Sequence, residues 1–315
     1  MATVRQGAAF SRAECSLRVR GKNFERVSVM PTKIPPQSQE HQPGKESALE
    51  PLAVHIREDY RGSGKLAGKK ALISGGDSGI GRSAALHFAR EGADIAFLYL
   101  EEHDDAQETV RLIEAEGRKA LAIAGDVASS SVCKNAVEQV VREFGGLNIL
   151  VNNAGIQVVS EDICSISDDE WQRHMDININ GYFYLARSVV PHLSSGGAII
   201  NTSSINAFMG NKALLAYSTT KAAELGFTRA LALELVSHGV RVNAVAPGPV
   251  WTPLQPASWG PIDPQTVADL TKSTPMQRCA DPAELGPAYV YLASDDASFV
   301  TGQTLHVNGG IIVNG

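Results

Sequence analysis

The sequence contains little cysteine, no excess of basic residues and no apolar run long enough to cross a bilayer. Its four cysteines (Cys15, Cys133, Cys164 and Cys279) form no CxxC pair and have no metal-like spacing to histidine. We therefore expect a reducing compartment and no metal site. A net charge of −6 argues against a nucleic-acid partner, because nucleic-acid binding needs a basic face. No apolar run approaches the roughly 20 residues that span a membrane, so we expect no membrane partner.

By composition the 315 residues divide into three parts. Residues 1–30 carry six basic and two acidic side chains, which fits an organellar transit peptide, or a disordered piece before a second start at Met30 in a cytoplasmic protein. Residues 31–65 contain five prolines among polar residues and predict an extended arm that becomes ordered only by lying on the folded body or a neighbouring subunit. Residues 66–315 carry the apolar periodicity of one folded domain, without a repeat.

Strand-like and helix-like segments alternate through this domain. Such alternation predicts an α/β fold, a single doubly wound, Rossmann-like parallel sheet with helices on both faces. The predicted strands are 70–74, 94–100, 120–124, 148–151, 198–200, 239–246 and 304–307. The predicted helices are 80–92, 104–116, 131–144, 168–190, 216–235 and 282–294.

A glycine-rich turn follows the first predicted strand and opens the first predicted helix. Its spacing, Gly75-x3-Gly79-x-Gly81, differs from the commoner G-x-G-x-x-G. Glycines at such a turn let the backbone approach a pyrophosphate, and the helix N-terminus offers N–H groups and the positive end of its dipole. A glycine-rich turn alone is weak support for a phosphate site, but between a strand and a helix it is strong.

Tyr217 and Lys221 lie four positions apart and project from one face of a predicted helix. Ser204 follows the predicted strand at 198–200, at the edge where open α/β sheets bind ligands. A free phenol has a pKa of about 10, and an adjacent ammonium should bring it closer to the working pH. The hydroxyl of Ser204 could hold a substrate oxygen. Taken alone, the pair fits a packed ring with its amine in water better than a catalytic pair, and the three further motifs reverse that preference.

Four sites stand in one order: SGGDSGIG at 74–81, NNAG at 152–155, DININGYF around Asn178, and Ser204 followed by YSTTK at 217–221. Over residues 66–315 this resembles the single-domain short-chain dehydrogenase/reductase family, with Ser74 where the family usually has Thr. The resemblance implies a catalytic tetrad of Asn178, Ser204, Tyr217 and Lys221. The PPQSQEHQPGK arm and the closing VNGGIIVNG look like the glucose/ribitol dehydrogenase-like subgroup, which implies a sugar or polyol substrate.

The resemblance also implies how a nicotinamide cofactor is held. Asp126 would contact the adenine, Lys221 the nicotinamide ribose, and Val250 with Thr252 the carboxamide, while Asn178 would hold a water linking Lys221 to solvent. A plain strand-ending turn at NNAG remains an alternative. The predicted cofactor-binding residues are Gly75, Asp77, Ser78, Gly79, Ile80, Gly81, Tyr99, Asp126, Val127, Asn153, Ala154, Gly155, Tyr217, Lys221, Pro247, Gly248, Val250 and Thr252.

The choice between NAD and NADP depends on the end of the second strand, where an acid bonds the ribose diol or a base meets the 2′-phosphate. Tyr99 stands at the usual acid position, and Glu101 and Glu102 follow it. These acids would repel a phosphate, although Arg82 could partly offset them. The sequence therefore predicts NAD or NADP, with a preference for NAD.

The predicted activity is reversible hydride transfer between a secondary alcohol or carbonyl and the cofactor, with Tyr217 as general acid/base. Residues 251–275 are rich in proline and predict a mobile flap over the substrate, with an exposed connector as the alternative. A cofactor-binding redox sensor or scaffold without turnover is the second hypothesis, and an enoyl reductase the third. Such reductases tend to space Tyr and Lys more widely. The resemblance implies a homodimer or homotetramer.

Overall fold

The computed structural model describes residues 33–313, so the predicted leader at 1–30 lies outside the described residues. Seven parallel strands form one sheet in the order β3-β2-β1-β4-β5-β6-β7. The strands are β1 Lys70–Ser74, β2 Asp94–Tyr99, β3 Ala120–Ala124, β4 Ile149–Asn152, β5 Ala198–Thr202, β6 Arg241–Pro247 and β7 Thr304–Val307. The predicted single doubly wound sheet is confirmed.

Helices cover both faces of the sheet. They are α1 Gly79–Arg90, α2 His103–Ala115, α3 Ser130–Phe144, α4 Asp168–Met175, α5 Gly181–Val189, α6 Asn206–Met209, α7 Leu215–Leu235, α8 Leu254–Ser258, α9 Pro264–Asp269 and α10 Gly286–Ala293. Successive strand residues face opposite sides, so Ile73 joins the apolar core beneath α1 and α10, whereas Leu72 joins the core beneath α3, α5 and α7. Two buried faces explain the nearly continuous apolar strands.

Successive strands are added on one side of β1 up to β3, and on its other side from β4 onward. β1 pairs with β2 on one side and with β4 on the other, through Ala71–Ile149 and Ile73–Val151. Crossover connections on opposite faces leave a crevice at the carboxyl ends of these two strands. The glycine turn and the NNAG segment follow β1 and β4 directly, so both meet in that crevice.

Two predicted helices are interrupted. The helix predicted at 168–190 contains a wide π-helical segment, Asp176–Asn180, between α4 and α5. The helix predicted at 282–294 begins as a 3₁₀ turn, Pro282–Glu284, and continues as α10 from Gly286. Pro287 has no N–H to donate to the preceding turn, which explains the second break.

The proline-rich arm lies along the folded domain from residue 33 to residue 65. Its one piece of regular structure is the 3₁₀ turn Glu46–Ala48. Ile34 and Leu49 are buried in a small apolar cluster with Trp251. The Trp251 indole donates from Nε1 to the Pro51 carbonyl (2.8 Å). Where the arm enters the domain, Glu91 accepts hydrogen bonds from the Tyr60 hydroxyl and from the backbone of Ser63 and Lys65.

Candidate active site

One large cavity, with a volume of about 930 Å³, opens at the carboxyl edge of the sheet. The glycine turn, the ends of β2 and β3, the NNAG segment, helix α7 and the loop after β6 all line it. Every predicted site residue lines this cavity except Asn178 and Gly81, which lie behind its wall. The structure thus brings together residues that are up to 177 positions apart in the sequence, from Gly75 to Thr252.

The glycine turn depends on glycine at two kinds of position. Gly75 and Gly79 have positive φ angles of 65° and 50°, where a side chain would strain the backbone. Gly81 is required by close packing instead, because a Cβ there would lie 1.8 Å from the Gly75 carbonyl oxygen. The turn therefore presents bare backbone and the N-terminus of α1 to the cavity, a geometry that suits a pyrophosphate.

The Ser74 hydroxyl ties this turn to the NNAG segment. It accepts hydrogen bonds from the backbone N–H groups of Asn153 (2.9 Å) and Ala154 (3.1 Å). In the opposite direction, the Asn153 side-chain amide donates hydrogen bonds to the carbonyls of Ser74 (3.2 Å) and Gly75 (3.0 Å). A serine hydroxyl therefore makes the link that joins the ends of β1 and β4.

Tyr217 and Lys221 lie on the buried face of α7, and Ser204 lies two residues beyond the end of β5. All three side chains border the cavity and are nearly buried, at 8%, 3% and 6% exposure respectively. The Lys221 ammonium lies 5.5 Å from the centroid of the Tyr217 ring. It donates to the Thr202 carbonyl at 2.8 Å, which fixes the amine beside the phenol instead of in water.

The pKa of Tyr217 is raised above its ordinary value, contrary to the net lowering expected from the sequence. Burial in the protein interior is the largest effect and disfavours the charged phenolate. Lys221 and a hydrogen bond with Ser204 act in the expected direction and lower the pKa, but they do not outweigh burial. The sequence showed the ammonium and could not show how deeply α7 buries the phenol.

Glu224 is a further acidic residue of this site, and none of the sequence motifs includes it. Its carboxylate lies on the same face of α7, fully buried, with Oε1 2.8 Å from Lys221 Nζ. Burial raises the pKa of Glu224 to about 8, while Lys221 lowers it. The signal was present in the spacing, because positions 217, 221 and 224 repeat at helical intervals of four and three.

Asn178 lies in the π-helical segment, and its side-chain amide is held by the backbone of Ile156. The oxygen accepts from the Ile156 N–H (2.9 Å), and the nitrogen donates to the Ile156 carbonyl (3.1 Å) and to Thr220 (3.0 Å). A Cβ at Gly155 would lie 3.3 Å from Asn178 Oδ1 and 3.7 Å from Lys221 Nζ, so these two groups flank one glycine. Wide turns of this kind are frequent at functional sites.

Tyr99 and Asp126 line the cavity near the ends of β2 and β3. Asp126 pairs with Arg173 (2.8 Å) and caps the backbone of Ala128 (2.9 Å). The Tyr99 hydroxyl lies 2.9 Å from His103 Nδ1. Asp77, at the start of the glycine turn, is buried, and burial raises its pKa to about 6.

Arg82 cannot offset the acids beyond β2, as the sequence suggested it could. Its guanidinium is buried and donates to the carbonyl of Asp77 (2.8 Å) and to Thr109 (2.8 Å). It also donates to the backbone carbonyl of Asp105 (2.9 Å) and lies 3.6 Å from the carboxylate of the same residue. The cation that lies beside Glu102 comes instead from the arm, where Lys45 Nζ is 4.0 Å away.

The loop after β6 folds back against the glycine turn. Pro247, Gly248, Val250 and Thr252 all line the cavity. Val250 bridges to Ala280, which fixes the loop. A Cβ at Gly79 would lie 3.0 Å from the Thr252 methyl group, so Thr252 packs directly against the glycine turn.

Two further elements complete the wall. The predicted flap, 251–275, contains α8 and α9 and contributes Leu254, Ser258 and Trp259 among others. The arm contributes 40–44, which sequence reasoning did not assign to the site. The Gln42 side chain donates to the Gln157 carbonyl (2.7 Å) and accepts from its N–H (3.0 Å), as a neighbouring strand would.

Within residues 33–313, no group of three or more His, Cys, Asp or Glu side chains is arranged to hold a metal ion. In the same part of the chain, no helix has both the length and the apolar character needed to span a membrane.

Comparison with known proteins gives concordant results. The family model described as enoyl-(acyl carrier protein) reductase matches residues 75–312. General stress protein 39 of Bacillus subtilis (strain 168) is 51% identical over 283 residues, covering 90% of this chain and 98% of that protein. The glucose and ribitol dehydrogenase of Daucus carota is 47% identical over 288 residues, with coverage of 90% and 98%.

A third relative is the Arabidopsis thaliana protein named NADPH-dependent aldehyde reductase 1, chloroplastic, 44% identical over 285 residues with coverage of 88% and 98%. Among solved structures, a short-chain dehydrogenase from Burkholderia cenocepacia in complex with NADP superposes with a TM-score of 0.73 at 33% identity. It covers 78% of this chain and 98% of that one.

Proposed function

Because the chain belongs to the short-chain dehydrogenase/reductase family, and is thus an NAD(P)-dependent oxidoreductase acting on CH–OH groups, we propose that Tyr217 is its general acid/base. The observation that carries the proposal is the convergence of Ser204, Tyr217 and Lys221 on the wall of the cavity that also holds the glycine turn. A buried phenol beside an ammonium and a hydroxyl is equipped to move one proton to or from a substrate oxygen.

Ser204 donates a hydrogen bond to the substrate oxygen and so stabilises the charge that develops there. In carbonyl reduction, Tyr217 donates its phenolic proton to that oxygen, and Lys221 stabilises the phenolate that remains. In alcohol oxidation, the phenolate accepts the hydroxyl proton. Bound nicotinamide supplies the hydride donor or acceptor. The raised pKa of Tyr217 keeps the phenol protonated near neutrality, which favours reduction there and oxidation at higher pH.

Asn178 supports this arrangement from behind the cavity wall. Its amide nitrogen donates to Ile156 and Thr220, and its oxygen accepts from the Ile156 N–H. We propose that it fixes the backbone beside Lys221, and a water relay at Asn178 stays a prediction.

The residues of the cavity fit a dinucleotide. Gly75 and Gly79 line the cavity with positive φ angles, and Gly81 packs against the Gly75 carbonyl, so the three glycines shape the turn at the N-terminus of a twelve-residue helix. We propose that they hold the pyrophosphate, that Asp126 and Val127 hold the adenine, and that Asn153 to Gly155 contact the ribose. Val250 and Thr252 would meet the carboxamide, Lys221 the nicotinamide ribose.

NAD or NADP is the cofactor, and the preference between them stays a prediction. Glu101 and Glu102 near the end of β2 favour NAD, and Arg82 is engaged elsewhere. NADP in the Burkholderia structure and the name of the Arabidopsis relative support the phosphorylated form. Comparing the Michaelis constants for the two cofactors decides it, and a clear preference for NADP would contradict the sequence argument.

We propose a sugar or another polyol, or the corresponding carbonyl compound, as the substrate. The name of the Daucus carota relative supports this class. So do the polar groups of the wall, where Gln157 Nε2 donates to the Ser258 hydroxyl (2.8 Å) beneath the flap. The enoyl reductase described by the family model fits less well, because Tyr217 and Lys221 are only four residues apart.

Replacing Tyr217 by phenylalanine tests the proposal. Turnover of a polyol and carbonyl panel should fall by roughly 10²- to 10⁴-fold, the usual contribution of general acid–base catalysis, while cofactor binding is retained. Tyr291→Phe, on the exposed side of α10, is the matched control. Substantial activity in Tyr217→Phe would refute the assignment. Absence of turnover by the wild-type protein, with cofactor bound, would support the sensor or scaffold alternative.

We also propose a homodimer or homotetramer. On the outer side of α5, Phe183 is 43% exposed and stacks against the Arg187 guanidinium at 4.8 Å, an apolar and cationic surface suited to an equivalent helix. Light scattering measures the assembly, and a monomer would refute it. The chloroplastic relative supports a transit peptide in residues 1–30, whereas a cytoplasmic location remains the alternative, and imaging of a fluorescent fusion distinguishes the two.

A further inference from the structure

A second ionisable group is packed against the amine of the proposed catalytic site. Glu224 lies one turn beyond Lys221 on the inner face of α7 and has no exposed surface. Its Oε1 is 2.8 Å from Lys221 Nζ, and the same ammonium donates to the Thr202 carbonyl at 2.8 Å. Two of the three ammonium N–H groups therefore donate to protein acceptors.

Among residues 33–313, Lys221 is the cation that acts on Glu224. The titratable groups that face it are Lys221 and Tyr217 from α7, Tyr182 from α5 and Tyr289 from α10. Its charge raises the pKa of all three tyrosines, whereas Lys221 lowers that of Tyr217. The acid and the amine therefore act on the phenol in opposite directions.

An exposed Lys–Glu pair on a helix contributes only about 0.2–0.5 kcal/mol and would have little influence on a neighbouring phenol. This pair is different because both partners are buried, and a buried charge depends on its partner for compensation. The second carboxyl oxygen of Glu224 has no hydrogen-bond partner within residues 33–313. The neighbouring Ser203 hydroxyl also lowers the pKa of Glu224, but it donates its hydrogen bond to the Lys221 carbonyl oxygen (2.8 Å). The Lys221 amine is therefore the charged partner of the carboxyl group, and the positions of the two groups are coupled.

We propose that Glu224 is a positioning residue for the reaction: it holds the Lys221 amine on the Thr202 carbonyl and shares its charge, and so sets the pH at which Tyr217 exchanges its proton. The proposal rests on Tyr217 acting as the general acid/base. The pKa of Tyr217 is raised above its ordinary value of about 10, so Glu224, with a pKa of about 8, is ionised in the pH range where the phenol loses its proton. In that range the negative charge of Glu224 makes the phenol a weaker acid than it would be beside Lys221 alone. It thus favours the form of the site that donates a proton.

The test compares Glu224→Gln with the wild type. The amide keeps the size of the side chain and removes its negative charge, so the acidic limb of the pH profile of kcat/KM for alcohol oxidation should move down by about one pH unit, a tenfold change in the proton equilibrium. Glu234→Gln, the same substitution at an exposed position of α7, should leave the limb in place. A purely structural role would lower kcat without moving the limb, and that result would overturn the proposal.

A second readout does not depend on turnover. Ultraviolet difference absorbance reports phenolate formation in the protein alone, and the component missing from Tyr217→Phe belongs to Tyr217. That component should appear at lower pH in Glu224→Gln. An unchanged or higher midpoint for Tyr217 ionisation in Glu224→Gln would overturn the proposal. This measurement does not require Tyr217 to be catalytic, so it distinguishes a failure of the Glu224 proposal from a failure of the Tyr217 assignment.

Thermal unfolding verifies that the variants are folded. If Glu224→Gln does not fold, Glu224→Asp supplies the comparison, because its shorter side chain withdraws the charge from Lys221. It should move both midpoints in the same direction by a smaller amount. Midpoints identical to those of the wild type in the folded variant would refute the role of Glu224.

Discussion

His87 predicts how the stability of the protein depends on pH. Its ring lies inside the interface between α1 and α10, packed edge-on against Tyr60 with ring centroids 4.6 Å apart. Nδ1 lies 2.8 Å from the Ser83 carbonyl oxygen, which requires that this nitrogen carry the proton of the neutral ring. Burial, the largest effect, lowers the pKa of His87 from 6.5 to about 4.

The sign follows from proton binding. Between pH 6.5 and 4, His87 binds a proton in the unfolded chain but stays neutral in the folded protein. The contribution of neutral His87 to the free energy of unfolding is therefore fully present above pH 6.5 and is lost as the pH falls towards 4. The shift corresponds to about 3.4 kcal/mol when fully developed, at 1.36 kcal/mol for each pH unit. Between about pH 7.5 and pH 5 the expected loss is roughly 2 kcal/mol.

Chemical unfolding of the wild type and of His87→Gln at these two pH values measures this loss. Glutamine is neutral at both values, so the free energy of unfolding of the variant should fall by about 2 kcal/mol less than that of the wild type. His238→Gln, at an exposed position after α7, should behave as the wild type does. Parallel losses in the wild type and His87→Gln would refute the reasoning.

Three further predictions concern the glycine turn, α7 and the arm. Gly81→Ala places a Cβ 1.8 Å from the Gly75 carbonyl oxygen and should weaken cofactor binding by more than about tenfold, measured by calorimetric titration; unchanged affinity would contradict the role of the turn. Gly226→Ala meets no atom within 4 Å and should raise the free energy of unfolding by about 1 kcal/mol, measured in urea; a loss of stability would show that this face of α7 is covered. Gln42→Ala removes two hydrogen bonds to Gln157, worth about 1–3 kcal/mol together. The arm should therefore be cleaved faster in limited proteolysis than in the control variant Gln37→Ala. Equal cleavage of the two variants would show that Gln42 does not hold the arm.

The strands and the residues at their ends could be predicted from the sequence for one reason. A parallel sheet buried on both faces needs short apolar runs, and a residue directly after such a run must lie at the carboxyl edge. Gly75 and Asn153 follow a strand directly and Ser204 lies two residues beyond the end of one, so their positions in the sequence predict that they lie at this edge of the sheet.

The features that the sequence did not reveal depend on contacts between distant segments. Gln42 binds Gln157 across 115 positions, and no local periodicity in a proline-rich segment reports such a contact. The wide turn at Asp176–Asn180 leaves the apolar pattern of its helix intact, so that pattern predicts one uninterrupted helix. The pKa of Tyr217 depends on how much protein covers α7, which neither composition nor spacing contains.

Trp251 gives the arm an optical signature. Its indole is completely shielded and donates to the Pro51 carbonyl, so one wall of its environment belongs to the arm and the other to the loop beside the cavity. If the arm lifts away, water reaches the indole, and its emission moves to longer wavelength. With only three tryptophans in the chain, the attachment of the arm can be followed in solution without any added label.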